Sequence, residues 1–319
     1  MSAWIKYICT AIQSLLSMKI LIAEYASALG LGGTCELEGR AMLATLASSF
    51  ERAGHEVLYP TFGPVVGAGR PILIKGEKEF EGVLDNEADA GLLIAPDGMQ
   101  PHLLEILEKN TVNLGASPAV ARLCADKLLC TRALAQAGVP VAEIVDRPDP
   151  VEKGCHRYVV KPRTGCGSEG VRVTSFARAG PGEIVTRYHE GLHLSASFIV
   201  GVEGFLPLTI NRQLIDFQGE GMSYQGSQVP YNTPRADEIW AEARAAAAVL
   251  GLSGYAGIDF VLGERPWAVD VNARPTTSII GIARVMKEEI GELILGARFG
   301  GMAEKVTLEG VWTFRKEDL

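Results

Sequence analysis

Three features that the sequence lacks narrow the classes of function it can have. The six cysteines form no CxxC pair and no cysteine–histidine group with zinc spacing. Scattered single thiols on a chain of 319 residues favour a reducing compartment, so we expect a cytoplasmic protein. No cluster of lysine and arginine appears, and the formal net charge of −8 disfavours nucleic acid as a partner. No stretch approaches the roughly 18 apolar residues of a membrane span, so we expect no membrane partner.

Residues 1–17 form a segment that we separate from the rest of the chain. They contain one lysine, an apolar stretch interrupted by Gln13 and no A-x-A cleavage site, all of which argue against a signal peptide. Met18 directly opens a strand-like run. We therefore expect an N-terminal extension, which is either a short helix or the product of an upstream start codon.

Residues 18–115 alternate between strand-like and helix-like segments. Apolar runs at 19–23, 55–59 and 89–95 predict strands, and apolar residues at helical spacing predict helices over 38–53 and 101–109. This alternation predicts an α/β domain with a parallel sheet, whose ligands bind beyond the carboxyl ends of the strands. Glu24 lies at such an end, where it can bind an ammonium group or cap the next helix.

Residues 159–171 predict two strands joined by a loop that contains Gly165, Gly167 and Gly170. Glycines let backbone N–H groups approach a phosphate closely, and Lys161 on the first strand adds a positive charge. The pattern GxxxxGK[ST] is absent, and a strand rather than a helix follows the glycines, so this is not a Walker loop. A flexible hairpin without a ligand remains the alternative.

Residues 257–275 predict a hairpin of two apolar strands around a four-residue loop at 263–266. With that loop Asp259 faces Asp270, and Asn272 shares their face because side chains alternate with period two. Two opposed carboxylates destabilise an apolar hairpin, and a divalent cation removes the conflict. We therefore predict a site for one or two Mg²⁺ ions, with Mn²⁺ as a substitute. Two exposed strand-end aspartates in a slipped register are the alternative.

The order of these segments resembles the ATP-grasp superfamily over most of residues 18–300. The resemblance is carried by Asp126-Lys127, by the glycine loop after Lys161, by residues 186–195 and by the run Asp270-x-Asn272-x-Arg274-Pro. It implies an ATP-grasp fold of class α/β, with α+β character in the ATP-binding part. The implied domains are a parallel-sheet pre-ATP-grasp domain (18–115), a small lid subdomain (116–184) and a large subdomain with the metal and substrate site (185–319).

The resemblance also implies a role for each motif. The ATP phosphates would contact Lys127, Lys161 and the loop residues Gly165, Gly167, Ser168 and Gly170. Adenine would be held by main-chain groups of Arg187, Tyr188 and His189, with Thr186 and His193 near its amino group and the ribose. Mg²⁺ would bind Asp259, Asp270 and Asn272, and the catalytic residues would be Lys161 and Arg274. Two positions depart from the family: Asp270 stands where Glu is commoner, and His193 stands where relatives often have a ribose-binding Glu.

The implied reaction is ATP-dependent ligation of a carboxylate to an amine through an acyl phosphate. Other ligations on the same scaffold, such as D-alanine–D-alanine or lysine-adding chemistry, stay open, as do a small-molecule kinase and a nucleotide-binding regulatory protein. The small-molecule carboxylate and amine would be the partners, and a homodimer is left open.

Within the superfamily, the segments around residues 22–43 and 269–278 are most similar to archaeal tyramine–L-glutamate ligases, which make γ-glutamyltyramine for methanofuran. The candidate substrate residues are Glu24, Tyr231, Asn232 and Arg235. Glutamate would need a cation, for which Arg235 or Arg40 is available, and an anion, for which Glu24 or Glu38 is available. Tyr224 or Tyr231 could face the tyramine phenol.

Overall fold

The computed structural model describes residues 17–145, 157–165 and 169–318. In its N-terminal part the described residues form a parallel sheet of five strands. These are β1 (Lys19–Glu24), β2 (Glu56–Thr61), β3 (Arg70–Leu73), β4 (Ala90–Ile94) and β5 (Val112–Asn113). Their order is β3-β2-β1-β4-β5, which confirms the predicted parallel sheet. Because β1 pairs with β4, the residues that follow these two strands meet at one edge of the sheet.

Helices cover both faces of this sheet, as short connections between parallel strands require. They are α1 (Tyr25–Leu29), α2 (Gly33–Arg52), α3 (Glu77–Leu84) and α4 (Gln100–Leu107). The sequence pattern predicts α2 only from residue 38, whereas the helix begins at Gly33. Glu36 explains the extra turn, because its carboxylate accepts a hydrogen bond from the free N–H group of Gly32 at 2.8 Å.

Two short helices follow the parallel sheet, α5 (Pro118–Ala125) and α6 (Lys127–Gln136). Asp126 separates them because its backbone is extended, with φ −92° and ψ 94°. Its carboxylate then caps α6 by accepting hydrogen bonds from the N–H groups of Leu128 and Leu129, both at 3.1 Å. The break fixes Lys127 as the first residue of α6.

The rest of the described chain is built on a second, antiparallel sheet. Its strands are β6 (Tyr158–Pro162), β7 (Arg172–Thr174), β8 (Glu183–Arg187), β9 (Leu192–Gly201), β10 (Gly204–Gln218), β11 (Gly221–Val229), β12 (Gly254–Leu262), β13 (Pro266–Asn272) and β14 (Trp312–Arg315). The order is β13-β12-β9-β10-β11-β7-β6-β8, with β14 beside β11. The expected boundary between residues 184 and 185 falls inside β8, and the division into domains stays a prediction.

The middle of this sheet has one apolar face and one polar face. Leu194, Phe198 and Phe260 are fully buried and pack with the alanine-rich helix α7 (Ala236–Leu250). The residues between them point the other way because side chains alternate along each strand. On that opposite face lie Ser195, Ser197, Asn211 and Asp259, which the strand registers place in neighbouring rows. A polar row in the centre of a sheet indicates a binding surface.

A shared hydrophobic core joins the two sheets. It includes Ile20 and Ile22 of β1, Phe50 of α2, and residues of the last two helices, α8 (Ser278–Val285) and α9 (Ile290–Phe299). Phe50 is completely buried. Its ring lies directly on α9, where a Cβ at Gly291 would stand 2.8 Å from the ring. The two parts therefore share their packing instead of meeting at a wet interface.

Within the three described ranges no helix is both long and apolar enough to cross a bilayer. The expected N-terminal extension falls almost wholly on residues 1–16, which lie outside the described residues.

Phe50→Ala should destabilise both parts of the protein together. Removing a fully buried phenylalanine from a tightly packed site costs about 3–5 kcal/mol. Because its neighbours belong to both parts, we expect a single urea transition at a lower midpoint. Val249→Ala on the exposed side of α7 is the control and should shift stability by only about 0.5 kcal/mol. Two separate transitions in F50A, one at the wild-type midpoint, would contradict a shared core.

Candidate active site

The hairpin of β12 and β13 places two carboxylates opposite each other. Asp259 pairs with Asp270, as the sequence predicts, but the predicted path to that pairing is wrong. Trp267 pairs with Val261 instead of Leu262, so the turn is one residue shorter than expected. A β-bulge between the Asp259 and Phe260 pairs restores the register by adding one residue, Val269, to β13. The shorter turn and the bulge shift the register by one residue in opposite directions, so Asp259 still faces Asp270.

The bulge also supplies a binding point for Lys161. The ammonium group of Lys161 donates a hydrogen bond to the carbonyl oxygen of Val269 at 2.5 Å. A bulged residue is left out of the strand ladder, so its carbonyl is available to a side chain. Lys161 is buried, and burial lowers the pKa of its ammonium group, although Asp270 and Asp259 act in the opposite direction. The lysine before the glycine loop is thereby held over the hairpin.

An ion pair between Arg163 and Asp126 brings the start of α6 to the same place. Arg163 donates two hydrogen bonds to the Asp126 carboxylate, at 2.6 and 2.8 Å. The N–H group of Lys127 donates to the carbonyl oxygen of Arg163 at 2.9 Å. These contacts tie α6 to β6, so the two lysines that the sequence singles out reach one site.

Lys127 binds the hairpin directly. Its Nζ lies 2.8 and 3.0 Å from the two carboxylate oxygens of Asp270 and 3.8 Å from Asp97. Burial opposes the charge of Lys127, but Asp270 and Asp97 outweigh that effect and raise its pKa. Burial likewise opposes the charge of Asp270, yet Lys127 and Lys161 hold its pKa below the usual value. Both members of this pair are therefore charged.

Arg274 completes the cluster from the segment after β13. Its Nη2 lies 3.3 Å from Asp97 Oδ1, and its side chain is only 11% exposed. Asp97 follows β4 at the carboxyl edge of the parallel sheet, three residues after Ile94. Asp97 is absent from the residues predicted from sequence, although it lies beyond the carboxyl end of a parallel strand just as Glu24 does.

Asp259 is the carboxylate with the least compensation. The pKa of Asp259 is raised from 3.8 to about 7, mainly by burial and also by the charge of Asp270. A hydrogen bond from Gln213 and the charges of Lys127 and Lys161 act in the opposite direction. The predicted conflict between opposed carboxylates is thus present in the structure. Within the described ranges no group of three His, Cys, Asp or Glu side chains could hold a metal by itself. A metal at Asp259 and Asp270 would need further oxygen ligands, which Asn272 on the same face and bound phosphates can supply.

The polar face continues from this cluster into a cavity of about 470 Å³. His193, Gln213 and Arg315 are among its lining residues. Deeper in the sheet, the amide nitrogen of Asn211 lies 3.3 Å from the hydroxyls of both Ser195 and Ser197. Burial lowers the pKa of His193, so its imidazole is neutral near pH 7.

The stretch from Thr186 to His189 is largely committed to contacts inside the protein. Thr186 is buried in β8, and the N–H groups of Arg187 and Tyr188 donate to the carbonyl oxygens of Glu143 and Arg157. The imidazole of His189 stacks on Trp267 with ring centroids 4.1 Å apart. An adenine ring would therefore depend on other main-chain groups here. Gly165 and Gly170 have positive φ angles of 127° and 71°, whereas Gly167 and Ser168 lie outside the described residues.

The four candidate substrate residues have different surroundings. Glu24 accepts hydrogen bonds from the N–H groups of Ala26 and Ser27, at 3.2 and 2.6 Å, which confirms the helix-capping alternative. Arg235 binds Glu238 and the carbonyl oxygens of Gly263 and Glu264 at the hairpin turn. It therefore supports the turn and does not reach the cluster around Asp270.

Tyr231 packs against the apolar core beneath the sheet, and its N–H group donates to Ile210. Asn232 is exposed beside it. Arg40, the other cation considered for glutamate, pairs with Glu36 on its own helix. A substrate role for any of these residues stays a prediction.

Glu38 has a partner that the sequence did not reveal. Lys316, in a single 3₁₀ turn after β14, reaches its carboxylate at 2.9 Å. The Thr277 hydroxyl donates to the other carboxylate oxygen at 3.2 Å, and Tyr224 lies beneath the lysine with its ring centroid 5.2 Å from Nζ. No local pattern marks Lys316, because this contact depends on β14 returning to pair with β11.

Comparisons with known proteins identify relatives of this chain. Residues 124–278 match the model of the ATP-grasp domain. The tyramine–L-glutamate ligase of Methanocaldococcus fervens is 30% identical over 278 residues, which cover 82% of this chain and 89% of that protein.

Two solved structures share the fold. An ATP-grasp superfamily protein from Archaeoglobus fulgidus superimposes with a TM-score of 0.77 at 26% identity, over 94% of this chain and 92% of that one. N5-carboxyaminoimidazole synthetase from Staphylococcus aureus, complexed with ADP, gives a TM-score of 0.69 at 14% identity, over 93% and 82% of the two chains.

Asp259→Asn should stabilise the protein in EDTA. Because the folded state raises the pKa of Asp259 from 3.8 to about 7, it holds a proton in that interval that the unfolded chain has released. Stability from this group therefore falls as pH rises through the interval. We expect the free energy of unfolding of D259N to exceed that of wild type by more at about pH 8 than at about pH 4, measured by urea denaturation.

Glu264→Gln is the matched control for that measurement, since Glu264 is exposed at the turn of the same hairpin. It should leave the pH dependence unchanged. A D259N protein that is less stable than wild type at about pH 8 would show that the opposed carboxylates do not conflict.

Lys161→Ala should weaken nucleotide binding far more than Arg163→Ala. Lys161 is buried over the hairpin, whereas the Arg163 side chain is 42% exposed and contacts Asp126. Loss of one charged hydrogen bond corresponds to about ten- to hundredfold in affinity. Calorimetric titration with a non-hydrolysable ATP analogue measures both variants, and thermal unfolding verifies that each is folded. Equal losses of affinity would remove Lys161 from the phosphate site.

Proposed function

Because the chain belongs to the ATP-grasp superfamily and is an ADP-forming carboxylate–amine ligase, we propose that it joins L-glutamate to tyramine. The proposed product is γ-glutamyltyramine, formed with ADP and phosphate. The ligase class follows from the family. The two substrates are the proposal.

The observation that supports the ligase chemistry is the convergence of three cations on the carboxylates of Asp97 and Asp270. Lys127 begins α6, Lys161 lies on β6 and Arg274 follows β13, yet all three surround Asp270 or its neighbour Asp97. Such an arrangement suits a group that gains negative charge during reaction, as the transferred phosphate does. A site that only bound nucleotide would not need a cation at the Arg274 position.

The reaction proceeds in two transfers. A carboxylate oxygen of the amino acid attacks the γ-phosphorus in line, and the bond to the ADP oxygen breaks, which gives an acyl phosphate. The amine nitrogen then attacks the acyl carbon, loses a proton, and phosphate leaves. Lys127 and Lys161 neutralise the phosphates in the first transfer. Arg274 neutralises the oxyanion that forms in the second.

The residues at the hairpin fit Mg²⁺. Asp259 and Asp270 are opposed oxygen ligands, and Asn272 adds an amide oxygen on the same face. Burial and the opposed Asp270 raise the pKa of Asp259, and the charges of Lys127 and Lys161 offset only part of that shift. Bound there, the ion would neutralise phosphate charge during transfer. Lys127, whose ammonium group pairs with Asp270 in this structure, would then be free to contact a phosphate.

Two observations support the choice of substrates. The first is the M. fervens relative, which is a tyramine–L-glutamate ligase. The second is the group of exposed apolar side chains Leu31, Leu37 and Phe62, of which Phe62 follows β2 at the carboxyl edge of the parallel sheet. An exposed apolar side chain at this edge suits the ring of tyramine. Tyrosine would bring an additional carboxylate that has no partner there, and desolvating it is unfavourable.

The test is ADP release with L-glutamate and one amine at a time, followed by mass spectrometry of the product. We expect turnover with tyramine and roughly a hundredfold lower kcat/KM with tyrosine. Omission of the amine should abolish sustained ADP release, because the acyl phosphate then remains bound.

Other outcomes would favour the remaining candidates. Turnover with D-alanine or lysine but not tyramine would replace the two substrates while keeping the ligase class. Sustained ADP release without any amine, with a phosphorylated product, would indicate a small-molecule kinase.

A further inference from the structure

The pair formed by Glu38 and Lys316 is largely withdrawn from solvent, although neither residue belongs to the phosphate-binding cluster. Their side chains are 14% and 17% exposed, and the Lys316 Nζ lies 2.9 Å from Glu38 Oε1. Glu38 comes from α2 in the N-terminal part, and Lys316 from the turn after β14. Burial of an ion pair removes two charges from water, and the attraction between them often fails to offset that cost. The pair therefore needs an explanation other than stability.

The pair lies at one end of the active-site cleft. Thr277, which donates to Glu38, is three residues beyond Arg274. Burial raises the pKa of the Tyr224 hydroxyl, and the charges of Glu38 and Asp259 add to the shift; the Tyr224 ring in turn lies beneath Lys316. On the other side, a Cβ at Gly39 would collide with the carboxylate of Glu24, whose charge is in turn felt by Arg274. Thr277 and Gly39 thus connect Glu38 with the segments that carry Arg274 and Glu24.

The geometry of the pair leaves bonding capacity unused. Glu38 Oε1 is buried and accepts no well-aligned hydrogen bond within the described residues, although Lys316 stands close to it. Lys316 also lies over the face of the Tyr224 ring, which stabilises the ammonium group in place by a cation–π contact. Two opposite charges are therefore held beside each other, each with room for another partner.

We propose that Glu38 and Lys316 recognise the ammonium and the α-carboxylate of the amino-acid substrate, and that they pair with each other only while that substrate is absent. This inference rests on the proposed ligase function, but it concerns an α-amino acid as a chemical class. The side-chain carboxylate of the bound amino acid would then extend towards Arg274.

Charge balance selects a zwitterion for this place. When an α-amino acid enters, its ammonium replaces Lys316 at Glu38, and its α-carboxylate replaces Glu38 at Lys316. No buried charge is left without a partner. A simple amine could satisfy Glu38 only by leaving Lys316 unpaired, and an uncompensated buried charge is strongly unfavourable. The pair therefore fits the amino acid and excludes the second substrate, the amine, from this position.

The experiment measures binding of three small molecules to the full chain in the presence of Mg²⁺ and a non-hydrolysable ATP analogue. L-Glutamate carries both groups, 4-aminobutyrate lacks the α-carboxylate, and glutarate lacks the ammonium. For the wild type we expect calorimetry to show L-glutamate binding about tenfold or more tightly than either analogue.

Each variant should erase one of these two preferences. In Lys316→Met, L-glutamate and 4-aminobutyrate should bind equally, while the preference over glutarate is kept. In Glu38→Gln, which is isosteric and so the gentler change, L-glutamate and glutarate should bind equally, while the preference over 4-aminobutyrate is kept. Lys316→Arg should retain both preferences. Lys287→Met is the matched control, because Lys287 forms an exposed pair with Glu309, and it too should retain both.

A pair that merely fastens the C-terminal strand would behave differently. K316M and E38Q would then lower the unfolding temperature but leave both binding ratios as in wild type, and that result overturns the proposal. Wild-type protein that binds none of the three compounds, or binds them equally, overturns it as well. Since the readout is binding, it is independent of turnover: failure of ADP release with tyramine would count against the proposed function alone.

Discussion

The arrangement of the whole site depends on two carboxylates that face each other across a hairpin. Asp259 and Asp270 are brought together by the register of β12 and β13, and their repulsion must be balanced by positive charge. The structure supplies that charge from separate elements: Lys127 from α6, Lys161 from β6 and Arg274 from the segment after β13. The positions of these elements are therefore coupled to the hairpin by electrostatics as well as by packing.

The local contacts that position these charged side chains are as specific as the charges themselves. Asp126 breaks the helix before Lys127 and caps α6, and the same carboxylate accepts two hydrogen bonds from Arg163. Lys161 is held by a carbonyl that a β-bulge removes from the strand ladder. Without ligand, the cluster neutralises itself, since three acids (Asp97, Asp259 and Asp270) face three bases. A polyanionic nucleotide and its metal ion can bind by exchanging ion-pair partners within this set, so no buried charge is left without a partner.

The sequence predicts much of this arrangement because the relevant patterns are local. Period-two alternation is enough to oppose Asp259 to Asp270, even though the turn is shorter than expected and Val269 forms a bulge. The bulge could not be foreseen, since its energy depends on Lys161 and on neighbouring strands. Lys316 could not be foreseen either, because β14 pairs with β11, some 85 residues earlier in the chain. Asp97 could have been predicted in the same way as Glu24, because ligands of a parallel sheet bind beyond the carboxyl ends of its strands.

The sequence alone does not identify the partner of each polar residue. That partner distinguishes a residue that supports the fold from a residue that binds a ligand. Glu24 is satisfied by backbone N–H groups two and three residues away, and Arg235 by a hairpin turn. Neither group can exchange its partner without loosening an element of the fold. Glu38 differs, because its partner comes from a distant segment and leaves one buried oxygen poorly bonded. A charged residue held by such a contact can release it when a ligand offers a better one, and that capacity is what a recognition site requires.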